Sequence, residues 1–430
     1  MSFELMHPAD QLVLIMDRIY HYGMTTTSGG NLSIMDEDGN IWITPGSVDK
    51  GTLTRKDMIR VKPTGEVIGI HKPSVELPFH KMIYQTRPDL KAILHAHPPT
   101  LVAFSLARKI PMVNLVPGAR DLLGEVGMAK YEVPGSALLG ERIADEFRKG
   151  KRTVLLENHG VVCGSTDLFT AFMAFETLDY AGRIEIGAKK LGVPRELTDV
   201  QLSLDRERAG GAMDSFIPAS HSSEERELRR DMCTLIHRAY DQKLFTSTQG
   251  TFSHRLSDGS FLITPYMKDR KYLDLDDIVR IKNGMCESGK VPSRSVLLHA
   301  RIYREHPEIG AVIIAKPPAI MSFAVTDAAF DSRTIPESYI MLRDVKRLPF
   351  EAVANDPEAI SAAFDEKTPA VIIDNNAVVV TGASLLNAFD RLEVLDYSAE
   401  AIIGARDIGP VVIISDDQVR EINRAFGLKE

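Results

Sequence analysis

At 430 residues the chain is too long for one ordinary hydrophobic core, and roughly 150 residues per domain divides it into two or three. Hydrophobic residues at 44% and charged residues at 26% give a soluble globular composition, with no apolar run near the ~20 residues of a membrane span. A net charge of -8 offers no electrostatic footprint for nucleic acid or an anionic membrane surface, leaving small molecules and proteins as partners.

The N-terminus, Met-Ser-Phe-Glu-Leu-Met-His, lacks the basic-then-apolar order of a signal peptide, so a cytoplasmic location is expected. Leu12, Leu14, Ile15 and Ile19 recur at helical spacing, and Gly23 follows, predicting a helix over Pro8 to Tyr22. Thr27-Ser-Gly-Gly-Asn-Leu-Ser-Ile34 leads into a strand, Asp38-Gly39 turns, and Ile41 to Thr44 returns. A second hairpin joins Ile59–Pro63 to Glu66–Ile70 through Thr64-Gly65, and a helix follows from Leu77 to Thr86.

Lys91-Ala-Ile-Leu-His-Ala-His-Pro-Pro99 reads as a buried strand stopped by two prolines, and a spacing of two puts His95 and His97 on one face. Helices are predicted over Pro99–Ala107 and Leu138–Lys149, the latter with a basic end. The apolar strand Thr153–Glu157 ends in Asn158-His159-Gly160, and a long helix covers Leu168 to Leu191. From Arg206 to Glu225 the chain turns polar and small, around Gly210-Gly211 and Ser220-His-Ser-Ser223, which predicts a linker. The three cysteines, Cys163, Cys233 and Cys286, are too scattered for a disulfide framework or a thiolate metal site.

Beyond the linker the pattern begins again. Ile43-Thr-Pro45 returns as Ile263-Thr-Pro265 and Arg60-Val-Lys62 as Arg280-Ile-Lys282, both at one offset. His80 with Ile83-Tyr84 becomes His299 with Ile302-Tyr303, and Pro98-Pro99 becomes Pro317-Pro318, the offset now shorter by a single position. Leu178-Asp-Tyr180 returns as Leu395-Asp-Tyr397 with little further shortening. So slow a drift indicates two copies of one fold, not a solenoid of short repeats. The division is 1–205, a linker at 206–225, and 226–430.

The duplication is an internal control. His95, His97, His159 and Glu76 face Ile314, Lys316, Asn376 and Ser295, so all four are lost together, whereas His80 persists as His299 and reads as structural. Three imidazoles leave positions open on a divalent metal, as in a catalytic site. Nitrogen-rich ligation suits zinc, and cobalt, nickel, manganese or iron fit the same trio. The open position would polarise a substrate carbonyl, and Glu76 is placed as the general base that removes a proton beside it. His97 and His159 both end apolar strands, and open α/β sheets bind ligands outside the carboxyl ends of their strands. Ser28-Gly-Gly-Asn31 and Thr44-Pro-Gly46 expose bare backbone suited to an anion such as phosphate.

Together, Thr27-Ser-Gly-Gly-Asn-Leu-Ser33, Ile43-Thr-Pro45, Pro73-Ser-Val-Glu76 with His80, His95-Ala-His97 and Asn158-His-Gly160 resemble the class II aldolase/adducin family, of the L-fuculose-1-phosphate aldolase type, across roughly residues 10 to 190. The resemblance implies that His95, His97 and His159 hold zinc, that Glu76 exchanges the proton of an enediolate, and that Gly30, Asn31, Thr44, Gly46 and Ser74 surround a substrate phosphate. It implies a tandem α/β protein, each copy a three-layer α/β/α domain with a mostly antiparallel central sheet, the second degenerate and without metal ligands. Family tetramers place the active site between subunits, so two chains would make a pseudo-tetramer, a homo-oligomer.

The aldolases commonly read Thr-Pro-Ser-Gly and Ser-Ser-Glu, where this chain has Thr44-Pro-Gly-Ser47 and Ser74-Val75-Glu76, one hydroxyl fewer for phosphate. They also take a tyrosine acid from a neighbouring subunit, after an Ile-Pro; Ile110-Pro-Met-Val-Asn-Leu115 has none, and Ile335-Pro-Glu-Ser-Tyr339 of the degenerate copy offers Tyr339. The resemblance leads to aldol cleavage of a ketose 1-phosphate. The alternatives are a decarboxylase, dehydratase or 4-epimerase on a related sugar phosphate, and adducin-like partner binding without catalysis.

Overall fold

In the computed structural model, which describes residues 3–207, 213–355 and 357–429, the chain divides into two compact units. The first comprises residues 1–113 and 119–182, the second residues 114–118 and 183–430.

In the first unit helix α1 (Pro8–His21) is followed by strands β1 (Asn31–Met35), β2 (Ile41–Ile43), β3 (Ile59–Val61) and β4 (Val67–Ile68). Then come α2 (Leu77–Thr86), β5 (Ala92–Ala96), α3 (Pro99–Leu106), α4 (Ala119–Leu123), β6 (Val126–Ala129), α5 (Ala137–Arg148), β7 (Thr153–Leu156) and β8 (Val161–Ser165). Helix α6 (Leu168–Leu191) begins in the first unit and ends in the second.

The second unit continues with α7 (Asp199–Glu207), β9 (Ser215–Phe216), α8 (Ser223–Asp241), β10 (Thr251–Arg255), β11 (Phe261–Ile263), β12 (Val279–Lys282) and β13 (Met285–Glu287). It closes with α9 (Val296–Glu305), β14 (Ala311–Ala315), α10 (Pro318–Ala324), α11 (Pro336–Leu342), β15 (Val345–Leu348), α12 (Ala352–Asn355), α13 (Pro357–Ala362), β16 (Ala370–Ile373), β17 (Ala377–Gly382), α14 (Leu385–Ala405) and α15 (Asp416–Phe426).

The first sheet has the order β4-β3-β2-β1-β5-β8-β7-β6, and the second repeats it as β13-β12-β11-β10-β14-β17-β16-β15 with β9 added beside β13. Pairing is antiparallel except for β6–β7, β15–β16 and β9–β13. The expected mixed α/β architecture, built twice around a mostly antiparallel sheet, is the one observed. The helical expectations over Leu77–Thr86 and Leu168–Leu191 coincide with α2 and α6. Leu12, Ile15 and Ile19 of α1 are fully buried, as their spacing requires, while Ile43, Ile59, Ile83 and Ile93 meet in one apolar cluster beneath the sheet.

The carboxyl-end rule for open parallel sheets does not transfer to this sheet, yet β5 and β7 both run antiparallel to β8, which lies between them, so their carboxyl ends still emerge together. Within the stretch expected as a linker, Gly210-Gly211 lie outside the described residues, whereas Ser215–Phe216 pairs with β13 and Arg206–Glu207 belong to α7. Leu197 and Leu202 pack on Phe350, which draws the tail of the first repeat into the second unit. Among the described residues no helix is long and apolar enough to cross a membrane, and the three cysteines are buried and free.

One buried polar motif recurs. Ser33 Oγ bonds His80 Nδ1 at 2.7 Å and Tyr84 Oη at 2.8 Å; Ser253 Oγ bonds His299 Nδ1 and Tyr303 Oη, each at 2.6 Å. Each cross-link ties a sheet strand to the helix packed on it, in keeping with the structural role expected of His80. Burial pushes the His80 imidazole down to about 3 from an ordinary 6.5. Between those pH values the unfolded chain binds a proton that the folded chain does not, so stability falls as pH drops below 6.5. In urea unfolding, His80→Gln is expected to flatten that dependence by about 1.4 kcal/mol per pH unit; identical slopes in both proteins would place it elsewhere.

Candidate metal and proton-transfer site

Strand β5 carries His95 on its face and releases His97 just beyond its end, and the turn between β7 and β8 supplies His159. That turn needs Asn158 in the left-handed region, at φ +56, and His159 N–H donates to Leu156 O at 3.1 Å. Gly160 completes it, because a Cβ there would lie 2.5 Å from Ala96 O and 2.6 Å from His97 Cδ2. Gly30, at φ +72, lets the β1 loop approach β5, where a Cβ would stand 2.8 Å from His95 O.

The three imidazoles thus converge, with one nitrogen from each lying within 4.8 Å of the others. His95 Nδ1 faces Val161 O at 3.0 Å, and since a carbonyl only accepts, Nδ1 carries the proton and Nε2 presents its lone pair. That lone pair meets His97 Nε2 at 3.0 Å and Glu76 Oε2 at 3.3 Å. Burial first, then the neighbouring imidazoles, pushes both His95 and His97 down to about 3; burial also lowers His159. Neutral imidazoles gathered beside a carboxylate are electron-rich and short of donors, and a bound cation satisfies such a set.

Glu76 stands at the N-cap of α2 and is almost fully buried. Its Oε2 accepts from Asn31 Nδ2 at 2.6 Å, and Asn31 Oδ1 accepts from His80 Nε2 at 2.5 Å. The carboxylate can only accept, which fixes the Asn31 amide orientation, the His80 tautomer and the direction of the Ser33 hydroxyl behind it. Glu76 Oε1 is buried without a hydrogen bond and lies 3.6 Å from His159 Nε2. An orphaned carboxylate oxygen aimed at three imidazoles is placed to hold or move a proton.

The residues expected around a phosphate are only partly gathered. A bridge between Pro45 and Pro73 sets Thr44–Gly46 against Lys72–Ser74, and Gly46 packs on Ser74. Thr44 Oγ1 accepts from Leu32 N at 3.1 Å, Gly46 N–H donates to Lys72 O at 3.1 Å, and Ser74 Oγ accepts from Glu76 N at 3.3 Å. Asn31 has both amide atoms engaged, so it positions Glu76. Tyr339 lies in the second unit, where its hydroxyl donates to Asn423 Oδ1 at 2.9 Å.

Sequence reasoning missed Thr25 and Lys50. Thr25 Oγ1 is a buried hydroxyl without a partner beside Gly29 and Gly30. Lys50 is buried, its Nζ donating to Pro45 O at 2.6 Å and its N–H to Thr27 O at 2.8 Å, which pins the two loops together. Burial lowers its ammonium to about 8. The signal was in the repeat: Arg270 occupies the matching position of the second copy and donates to Pro265 O at 3.0 Å.

The second unit keeps the frame and loses the donors. Asn375, at φ +51, reproduces the Asn158 turn, while Asn31, Ser74 and Glu76 give way to Thr251, Ser293 and Ser295, whose hydroxyls bond one another.

The model of the class II aldolase and adducin N-terminal domain matches residues 10–186 and again 230–403. The chain is similar to a 5-deoxy-D-ribulose 1-phosphate aldolase of Bacillus thuringiensis serovar kurstaki, at 31% identity over 45% of this chain and 91% of that protein. It is similar to a 3-oxo-tetronate 4-phosphate decarboxylase of Pectobacterium atrosepticum, at 32% identity over 40% of this chain and 81% of that protein. A solved L-fuculose 1-phosphate aldolase is 30% identical, covering 47% of this chain and 95% of its own, with a TM-score of 0.42.

Elemental analysis of the purified protein is expected to find a divalent metal that His97→Asn largely abolishes. Gly160→Ala should lose metal by crowding His97. Equal metal in the parent and His97→Asn proteins would remove the histidines as ligands.

Proposed function

The chain belongs to the class II aldolase and adducin family, and we propose that its first repeat, residues 1–205, is a zinc-dependent lyase performing aldol cleavage and condensation on a ketose 1-phosphate. In this reading residues 206–225 link it to a degenerate second copy, 226–430, without metal ligands. A divalent metal held by His95, His97 and His159 would act as a Lewis acid on the substrate carbonyl, worth several kcal/mol at the transition state.

Glu76 carries the assignment. Its orphaned Oε1 faces the imidazoles while Asn31, itself held by His80, bonds the other oxygen, so the carboxylate is aimed before substrate arrives. In condensation Oε1 takes the proton from the carbon beside the carbonyl; after cleavage it returns that proton to the same carbon. The substrate phosphate is assigned to the Gly30, Thr44, Gly46 and Ser74 loops, which Lys50 braces from beneath.

A decarboxylase acting on a 3-oxo sugar-acid phosphate is the second reading, favoured by a relative of that name as similar as the aldolase. Both reactions use a polarised carbonyl, and the products separate them: an aldehyde and a ketose fragment, or carbon dioxide.

Glu76→Gln keeps the shape of the side chain and is expected to lower turnover by about 10²–10⁴-fold while leaving bound metal in place. Solvent deuterium uptake at the carbon beside the carbonyl should be lost in parallel; uptake at the parent rate would remove Glu76 as the base. Tyr339 serves as proton donor only if its bond to Asn423 opens, and unchanged saturated turnover in Tyr339→Phe would exclude it.

A further inference from the structure

The second unit keeps the backbone that aims the first unit's site and reverses its charge. Where the first has His95, His97, His159 and Glu76, the second has Ile314, Lys316, Asn376 and Ser295. A carboxylate among neutral imidazoles is a set of acceptors and suits a cation. An ammonium, an amide and a hydroxyl, with no carboxylate at any of the four positions, are donors and suit an anion.

The backbone correspondence is close. Thr251 pairs with Ile314 across β10 and β14 as Asn31 pairs with His95 across β1 and β5. Two prolines follow Lys316 as they follow His97. Asn375 at φ +51 and the bond from Asn376 N–H to Ile373 O at 3.1 Å repeat the turn that presents His159, so the Asn376 side chain leaves the backbone in the direction of that imidazole. Asn376 is 6% exposed, yet its carboxamide has no hydrogen-bond partner among the described residues.

A second amide joins it. Gln249 stands at the place of Gly29, and its N–H bonds Thr246 O at 3.0 Å as Gly29 N–H bonds Thr26 O at 3.1 Å. A Cβ at Gly29 would lie 3.0 Å from His97 Nδ1, so the Gln249 side chain starts beside the position of Lys316.

The helix beneath has lost its own anion. Glu76 puts a carboxylate at the N-cap of α2, the positive end of a ten-residue helix. Ser295 is the N-cap of α9, also ten residues long, and its hydroxyl makes no capping bond. The Ser293 hydroxyl bonds those of Thr251 at 2.7 Å and Ser295 at 3.0 Å. Three hydroxyls joined by two bonds have one O–H left to donate outward. The neighbouring carboxylates are already taken, Asp205 by Arg294 and Asp374 by Arg347.

We propose that the second unit binds a phosphate group, free or esterified, at the place that the histidines and Glu76 hold in the first. Lys316 supplies the countercharge, Asn376, Gln249 and the remaining hydroxyl donate to the oxygens, and the N-terminus of α9 faces the anion. Donors arriving from β10, α9, β14 and the turn between β16 and β17 surround a tetrahedral oxyanion, whereas a planar carboxylate would meet them in one plane. Without the Glu76 carboxylate and the histidines the second copy has no base, so it holds the phosphate without turning it over. The proposal rests on the duplicated fold and is independent of the reaction assigned to the first repeat.

Equilibrium dialysis of the full chain against labelled inorganic phosphate tests it. The parent is expected to bind phosphate in the second unit. Ser295→Glu, which puts a carboxylate where Glu76 has one, and Lys316→Met are each expected to weaken that site by at least about tenfold while divalent metal content is unchanged, with circular dichroism reporting that both are folded. A parent that binds no phosphate overturns the proposal whatever the variants do. Phosphate bound equally by the parent and both variants also overturns it, because the loops of the first copy would then hold all of it. Competition by glycerol 1-phosphate stronger than by unlabelled phosphate identifies an ester as the occupant, and the reverse order identifies free phosphate; either supports the site. Phosphate lost from both variants of a chain without lyase activity leaves the proposal standing while refuting the proposed reaction.

Discussion

A single buried carboxylate, Glu76, sets what the rest of the first unit has to provide. Taking a carboxylate out of water is costly unless its oxygens are met, and one of them is met by Asn31 alone. Asn31 is in turn oriented by His80, and His80 by Ser33, so the chain of hydrogen bonds runs from the sheet through the α2 helix to the imidazoles. Every member has one allowed polarity because the carboxylate at its end can only accept. The oxygen left over is turned toward His95, His97 and His159, where a cation would satisfy it.

The duplicated copy separates the parts of this arrangement that recur from those that do not. Ser253, His299 and Tyr303 reproduce the inner end of the chain, and the left-handed asparagine turn survives at Asn375. The outer end is replaced by hydroxyls that satisfy one another without a charge, as a buried site needs once the carboxylate and imidazoles are gone. A protein that loses the carboxylate and the three imidazoles together avoids both an unpaired buried anion and a cluster of unsatisfied nitrogens.

Compactness and repetition do not share a boundary in this chain. Residues 114–118 and 183–207 are first-repeat sequence folded into the second unit, because Leu197 and Leu202 find their apolar partner in Phe350. The same hydrophobic requirement acts on Ile408 and Val412, which the second unit leaves in solvent.

Much of this was legible in the sequence because it is local or periodic. The apolar spacing of α1, the limits of α2 and α6, the tandem repeat and the shared face of His95 and His97 all follow from short-range patterns, and the four residues lost from one copy are ones that converge in the other. The Asn31–Glu76 bond was not legible, since it joins residues 45 positions apart through a strand register that no local pattern states. The burial of Lys50 was not legible either, because it depends on the loops of Thr27 and Pro45 closing on it. Composition marks residues 206–225 as a linker and does not state that Ser215–Phe216 within it pairs with the edge of β13. Residue identity and repetition specify which donors exist and that they occur in one copy. How those donors face one another is a product of folding, because antiparallel pairing across β5, β8 and β7 brings two distant strand ends to one place.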